Sequence, residues 1–205
     1  MVVRDSGDAL AVVIPAAGRS SRMGRPKALL DPGGVTFLER VVGANRDAGC
    51  GIVIVAVRDR DDPIAERAGA LGAYVAISED PDQGPIESLR AGLRALPDHV
   101  GRCLLHPVDH PLVRPETISM LAGEADADAK ASIVLPLHRG RAGHPVLFKR
   151  DVFPELLDRT LAGGARTVVR RNAGRVLAVD VQDPGVLANL DTPEELARRF
   201  PGFDP

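Results

Sequence analysis

"ALAVVIPAAGRSSRMGRPKALL" runs from Ala9 to Leu30, and its reading decides the fold. Ala9 to Ala16 is an unbroken run of β-branched and small apolar residues, the pattern of a strand buried on both faces. The chain then breaks into glycine, serine and arginine and turns apolar again at Ala28. Arg19, Arg22, Arg25 and Lys27 put four cations into nine residues beside Gly18 and Gly24. A solvated Arg-rich turn is the plain reading; an anion-binding loop at the carboxyl end of a strand is the functional one. Five residues separate the two glycines, so the spacings GxGxxG and GxxxxGK[ST] are both missing. The physics behind those loops is still available. Small residues let successive N–H groups form an anion-binding concavity, and Arg22 and Lys27 would add fork and point-charge contacts. A triphosphate carries enough charge to occupy several cations, whereas a single carboxylate does not.

Outward from this stretch, short apolar runs alternate with helical patterns. "GIVIVAV" (51–57), "AYVAIS" (73–78), "RCLLHPV" (102–108) and "RVLAVDV" (175–181) read as strands. "TFLERVVGANRDAG" (36–49), "DPIAERAGALG" (62–72), "GPIESLRAGLRAL" (84–96), "RPETISMLAGEA" (114–125), "DVFPELL" (151–157) and "DTPEELARRF" (191–200) read as helices with Pro, Asp, Thr or Gly at their ends. This βαβ order predicts an α/β fold: a three-layer, doubly wound, mostly parallel sheet with helices on both faces. "SIVLPLHRGRAGHPVLF" (132–148), joined by a Gly-rich turn, predicts an antiparallel strand within it. Ligands in such sheets sit at the carboxyl ends of the strands. The length of 205 residues suits one domain over 1–205, with a core from about 9 to 200.

Composition excludes several classes. A net charge of −2 leaves no bulk basic field for nucleic acid or a membrane surface. With no Trp and 3% aromatics, a stacking platform for single strands is not expected. Only three lysines stand against twenty-three arginines, which makes Lys27 in the loop less a matter of background. Cys50 and Cys103 are distant and form no CxxC, so they read as reduced core thiols. With no signal-peptide pattern and no apolar run of ~18–20 residues, a cytoplasmic location is expected.

The opening residues carry a resemblance. "PAAGRSSRMGRPKALL" (15–30) resembles the signature (L/P)A(A/G)GxxxRMGxxK of nucleotidyltransferases similar to the molybdenum-cofactor cytidylyl- and guanylyltransferases. It is also similar to the opening of sugar-phosphate and methylerythritol-phosphate nucleotidylyltransferases. The resemblance implies a Rossmann-like fold of the nucleotide-diphospho-sugar transferase type. It implies that Gly18, Arg22 and Lys27 hold the triphosphate and that backbone around Ala16 and Ala17 faces the base. "LLHPVDHPLV" (104–113) matches the family's DxP through Asp109-His110-Pro111, which implies that Asp109 is a Mg²⁺ ligand. On its own, such an Asp is as readily a turn residue. "NLDTPEEL" (189–196) resembles a late polar segment of which one side chain completes the metal or phosphate site. Asn189 and Asp191 are the candidates, with Asp191 favoured as the second carboxylate, although Asp191 or Thr192 also suits the N-cap of the last helix. "GRAGHPVLF" (140–148) resembles a segment of the molybdopterin cytidylyltransferase branch near the acceptor, where His144 could hydrogen-bond or simply pack. "QGPIESLRAGL" (83–93) corresponds to the helix after the third strand, with Gly84 and Ser88 on the nucleotide side.

Base preference is divided. By the resemblance, Ala16-Ala17-Gly18 favours CTP, since cytidylyltransferases usually have AAG where the guanylyl branch has AGG and a methyl at Ala17 would narrow the base pocket that the resemblance implies; the Gly84-Pro85 pair is closer to the guanylyl branch. The expected reaction is Mg²⁺-dependent transfer of NMP from an NTP to a phosphorylated acceptor, molybdopterin among the candidates, with release of pyrophosphate. Arg22, Lys27 and Asp109 are its expected catalytic residues. An acceptor phosphate is already largely ionised near neutrality, with a second pKa near ~6, so no strong base is needed. Other phosphorylated small molecules stay open as acceptors, as do a non-catalytic nucleotide-binding module and the oligomeric state, a monomer included. A zinc cluster of His106, Asp109, His110 and His144 fits poorly, since prolines at 107 and 111 exclude the helix that the spacing needs. A serine hydrolase lacks the G-x-S-x-G elbow, and a nicotinamide oxidoreductase lacks its dinucleotide fingerprint.

Overall fold

The computed structural model describes residues 9–18 and 26–203. Its elements run β1 (Leu10–Pro15), α1 (Phe37–Asp47), β2 (Ile52–Val57), α2 (Pro63–Ala70), β3 (Tyr74–Ile77), α3 (Pro85–Ala95), β4 (Arg102–Leu105) and α4 (Pro115–Ala127). They continue with β5 (Ile133–His138), β6 (Arg141–Ala142), β7 (Val146–Lys149), α5 (Phe153–Leu157), α6 (Ala165–Arg171), β8 (Val176–Asp180) and α7 (Pro193–Arg199). The strands form one eight-stranded sheet in the order β3-β2-β1-β4-β7-β5-β6, with β8 paired to β5. β1 is parallel to both β2 and β4. β7 inserts antiparallel between β4 and β5, as the Gly-rich hairpin predicts.

The run Leu10 to Ile14 is buried throughout because both faces of β1 are covered. Val12 and Ile14 point into a core closed by α1, α2, α4 and α7. Ala11 and Val13 point into a second core closed by α3, α5 and α6. This is the two-sided burial that makes a parallel strand read as continuously apolar. Helix α3 approaches β1 very closely at Gly92, where a Cβ would lie 2.2 Å from Val13 Cγ2.

Helix boundaries follow local chemistry. Thr36 and Glu39 form a capping box at α1, and Asp62 caps α2 with Pro63 in its first turn. Thr192, not Asp191, caps α7, in a capping box with Glu195. Helix α6 is absent from the sequence-based expectation; "ARTVVRR" carries little apolar signal and buries only Val168. Cys50 and Cys103 are buried free thiols. Desolvation raises the Cys103 thiol strongly and pushes Cys50 up to about 12, so both stay protonated. Among the described residues no helix is long and apolar enough to cross a membrane.

Candidate active site

The carboxyl ends of β1 and β4 open onto a cleft of about 340 Å³. Backbone bonds hold its floor together: Ala16 N–H donates to Ala56 O at 2.8 Å and His106 N–H to Val13 O at 3.1 Å. Ala16, Ala17 and Gly18 line one side, and Gly84, Pro85 and Ser88 at the start of α3 line another. Ser88 Oγ lies 3.1 Å from Ser78 Oγ, which ties the first turn of α3 to the end of β3. Lys27, Asp109 and Asp191 complete the rim.

Those three charged side chains come from distant turns. Lys27 lies in the short 3-10 turn Lys27–Leu29. Its Nζ is in direct contact with Asp191 Oδ1 and lies 3.6 Å from Asp109 Oδ2. Because Thr192 does the capping of α7, the Asp191 side chain points to the cleft rather than to the helix end. Asn189 does not line the cleft; its Nδ2 donates to Asp191 Oδ2 at 2.8 Å. His144 also stands outside, its ring 4.9 Å from that of His110. Arg22, with its neighbours Arg19 and Arg25, lies outside the described residues.

Burial shapes the electrostatics. Desolvation raises the Asp109 carboxyl above its ordinary value; Lys27 pulls it back down and Asp191 adds to the rise. Desolvation pushes His110 and His144 down to about 4, so both rings are neutral near pH 7. His110 Nε2 lies 4.0 Å from Asp109 Oδ1. Asp109 Oδ1, His110 Nδ1 and His144 Nδ1 are buried with no hydrogen-bond partner among the described residues.

Two supports behind the cleft were not singled out as such by the sequence. His106 is completely buried. Its Nδ1 lies 2.8 Å from Asn45 Nδ2, which also donates to Val41 O at 2.7 Å. Nδ1 is therefore the acceptor, and Nε2–H donates to the His110 carbonyl at 3.1 Å. That bond holds the turn carrying Asp109. Asp183 is the second support. It accepts from Arg114 N–H at 2.9 Å, Thr117 Oγ1 at 2.8 Å and Gly185 N–H at 2.8 Å. It fixes the segment before Asp191 against the start of α4. A polar residue within an apolar helix stripe, such as Asn45, was the one available hint.

The donor set suits a hard divalent cation. Asp109 and Asp191 offer carboxylate oxygens at one cleft, and one of them, Asp109 Oδ1, is unpartnered. Among the described residues no group of three His, Cys, Asp or Glu is placed to hold a metal. A divalent ion here would have two protein ligands and take the rest from phosphate and water, which is how Mg²⁺ is commonly held.

The chain is similar to known proteins over most of its length. The family model of the MobA-like NTP transferase domain matches residues 12–176. The chain is 33% identical over 191 residues to a probable molybdenum cofactor guanylyltransferase of Mycobacterium avium (strain 104), covering 91% of this chain and 93% of the relative. It is 26% identical over 189 residues to the molybdenum cofactor cytidylyltransferase of Escherichia coli (strain K12), covering 91% and 93%. The structure of Rv0371c from Mycobacterium tuberculosis H37Rv in complex with manganese superposes with a TM-score of 0.72 at 26% identity, over 95% of this chain and 99% of that one.

Proposed function

Given that the chain belongs to the MobA-like NTP transferase family and is a nucleotidyltransferase, we propose that it transfers NMP from an NTP to a phosphorylated acceptor of the molybdopterin class. The observation that carries this reading is the meeting of Lys27, Asp109 and Asp191 in one cleft at the carboxyl ends of β1 and β4.

The reaction forms a bond from an acceptor phosphate oxygen to the α-phosphorus and breaks the bond to the bridging oxygen, releasing pyrophosphate. Negative charge builds on the equatorial oxygens and on the leaving group. A bound Mg²⁺ would supply charge neutralisation at those oxygens, and Asp109 and Asp191 are the residues that would hold it. The chain's own work is alignment and preorganised charge. Lys27, with Arg22, receives the triphosphate and then the departing pyrophosphate. Gly18 leaves room for the phosphates to approach the backbone. Ala16, Ala17, Gly84 and Ser88 flank the nucleoside. His144 packs against His110, the neighbour of Asp109, and so supports that turn rather than touching the acceptor, and Asn189 orients Asp191 by its 2.8 Å bond. No side chain acts as a nucleophile.

CTP is our first reading of the nucleotide: Ala17 lines the cleft, and a methyl there would leave less room for a purine than glycine would. GTP is the second reading, favoured by the guanylyltransferase name of the mycobacterial relative. A pyrophosphate-release assay with each of the four nucleotides, molybdopterin and a panel of sugar phosphates tests both points. Turnover with molybdopterin and CTP supports the first reading and turnover with GTP the second. Turnover confined to a sugar phosphate would replace the acceptor.

A further inference from the structure

Lys27 occupies a place that two expectations claim at once. As a phosphate ligand it should reach toward the nucleotide; Asp109 and Asp191 should face each other across a metal. Instead the ammonium stands between the two carboxylates, touching Asp191 and 3.6 Å from Asp109 Oδ2. The side chains of Lys27, Asp109 and Asp191 are 17%, 23% and 31% exposed, so solvent screens this cluster only in part. A monovalent ammonium and a divalent ion cannot share that position without strong repulsion.

We infer that Lys27 acts as a counterion that keeps the carboxylate pair closed to a free divalent cation until a nucleoside triphosphate draws the ammonium away. This rests on the transferase reading above and adds a binding order to it: metal and nucleotide enter as a unit. Lysine suits the task because its compact charge rides on a flexible four-carbon stem and can change partners. When the β- and γ-phosphates offer it a denser anion, the ammonium leaves the space between the carboxylates and the metal takes that place. Linkage makes the effect reciprocal, so metal raises nucleotide affinity by the factor by which nucleotide raises metal affinity. Asp109 Oδ1, which has no partner among the described residues, is the oxygen left ready for that exchange.

The test is Mn²⁺ binding without nucleotide, followed by electron paramagnetic resonance, in the wild type, Lys27→Met and Lys27→Gln. Circular dichroism checks that all three are folded. Wild-type binding of the nucleotides with and without Mg²⁺ is measured by calorimetry in parallel. The inference expects both variants to bind Mn²⁺ alone about tenfold or more tightly than the wild type, while the wild type takes up metal with the nucleotide. Equal or weaker Mn²⁺ affinity in the folded variants, with nucleotide binding by the wild type intact, overturns the inference and leaves the transferase reading in place. A wild type that binds no nucleotide with Mg²⁺ overturns the transferase reading and the inference with it.

Discussion

The carbonyl oxygen of Asp109 accepts a hydrogen bond of 2.9 Å from the backbone N–H of Leu190. Through that bond the loop after β4 and the segment entering α7 become one structural unit, and the two cleft carboxylates are carried on it. His106 and Asn45 hold the unit from below and Asp183 holds it from the side. Several consequences can be measured.

Asp183→Ala removes the acceptor for three donors at an almost fully buried position, at 2% exposure. Leaving buried donors unsatisfied costs about 1–3 kcal/mol each, so a loss of at least ~3 kcal/mol is expected in urea denaturation. The segment carrying Asp191 should loosen too, with faster amide exchange at Leu190. A variant as stable as the wild type would show that water replaces the carboxylate.

Lys27→Ala should lower turnover by about 10²-fold or more, the usual loss for a charge contact made in the transition state. Asp109→Asn should abolish metal-dependent pyrophosphate release. Steady-state kinetics with saturating metal and nucleotide separates the two. Wild-type turnover in either variant removes that residue from the site.

His106 sets a pH dependence of stability. Desolvation lowers its pKa from 6.5 to about 3 in the folded protein. Between those values the unfolded chain binds the proton and the folded protein does not. Its contribution is therefore complete above about pH 6.5 and is lost as pH falls toward 3, at ~1.4 kcal/mol per pH unit for one proton. His110 and His144, lowered to about 4, act in the same direction down to that pH. The raised Asp109 carboxyl acts in the opposite sense, above its ordinary 3.8. Urea midpoints between about pH 7 and about pH 5 should fall for the wild type, and less steeply for a folded His106→Gln. Identical slopes would contradict the assignment.

Gly92→Ala drives a methyl to within 2.2 Å of Val13 Cγ2, across the contact between α3 and β1. Overpacking of this kind costs typically about 1–3 kcal/mol. Since α3 begins at the cleft, nucleotide affinity should weaken along with stability. Val13→Ala should recover much of the loss in the double variant. Additive thermal shifts in the two single variants and the double would deny the contact.

The βαβ rhythm, the buried first strand and the antiparallel return at the Gly-rich hairpin were all legible along the chain. Each rests on local physics: apolar runs, cap residues and turn glycines report on their own neighbourhoods. Helix α6 was not legible, because only Val168 of its seven residues is buried. For the site, the chain placed Lys27 and Asp109 as candidates without showing that they meet. It left Asp191 divided between helix cap and cleft. The structure resolves that division through Thr192, whose hydroxyl takes the cap.

By itself the sequence determined the layered α/β architecture, the loop of cations after the first strand and the family signature, because these are written in short-range patterns. Only the tertiary structure decided that Lys27 lies between Asp109 and Asp191, that His106 and Asp183 buttress them, and that His144 stands behind the cleft rather than in it. Such relations depend on the pairing of β1 with β4 and on contacts between residues far apart in the chain. Periodicity and spacing carry no record of those distances.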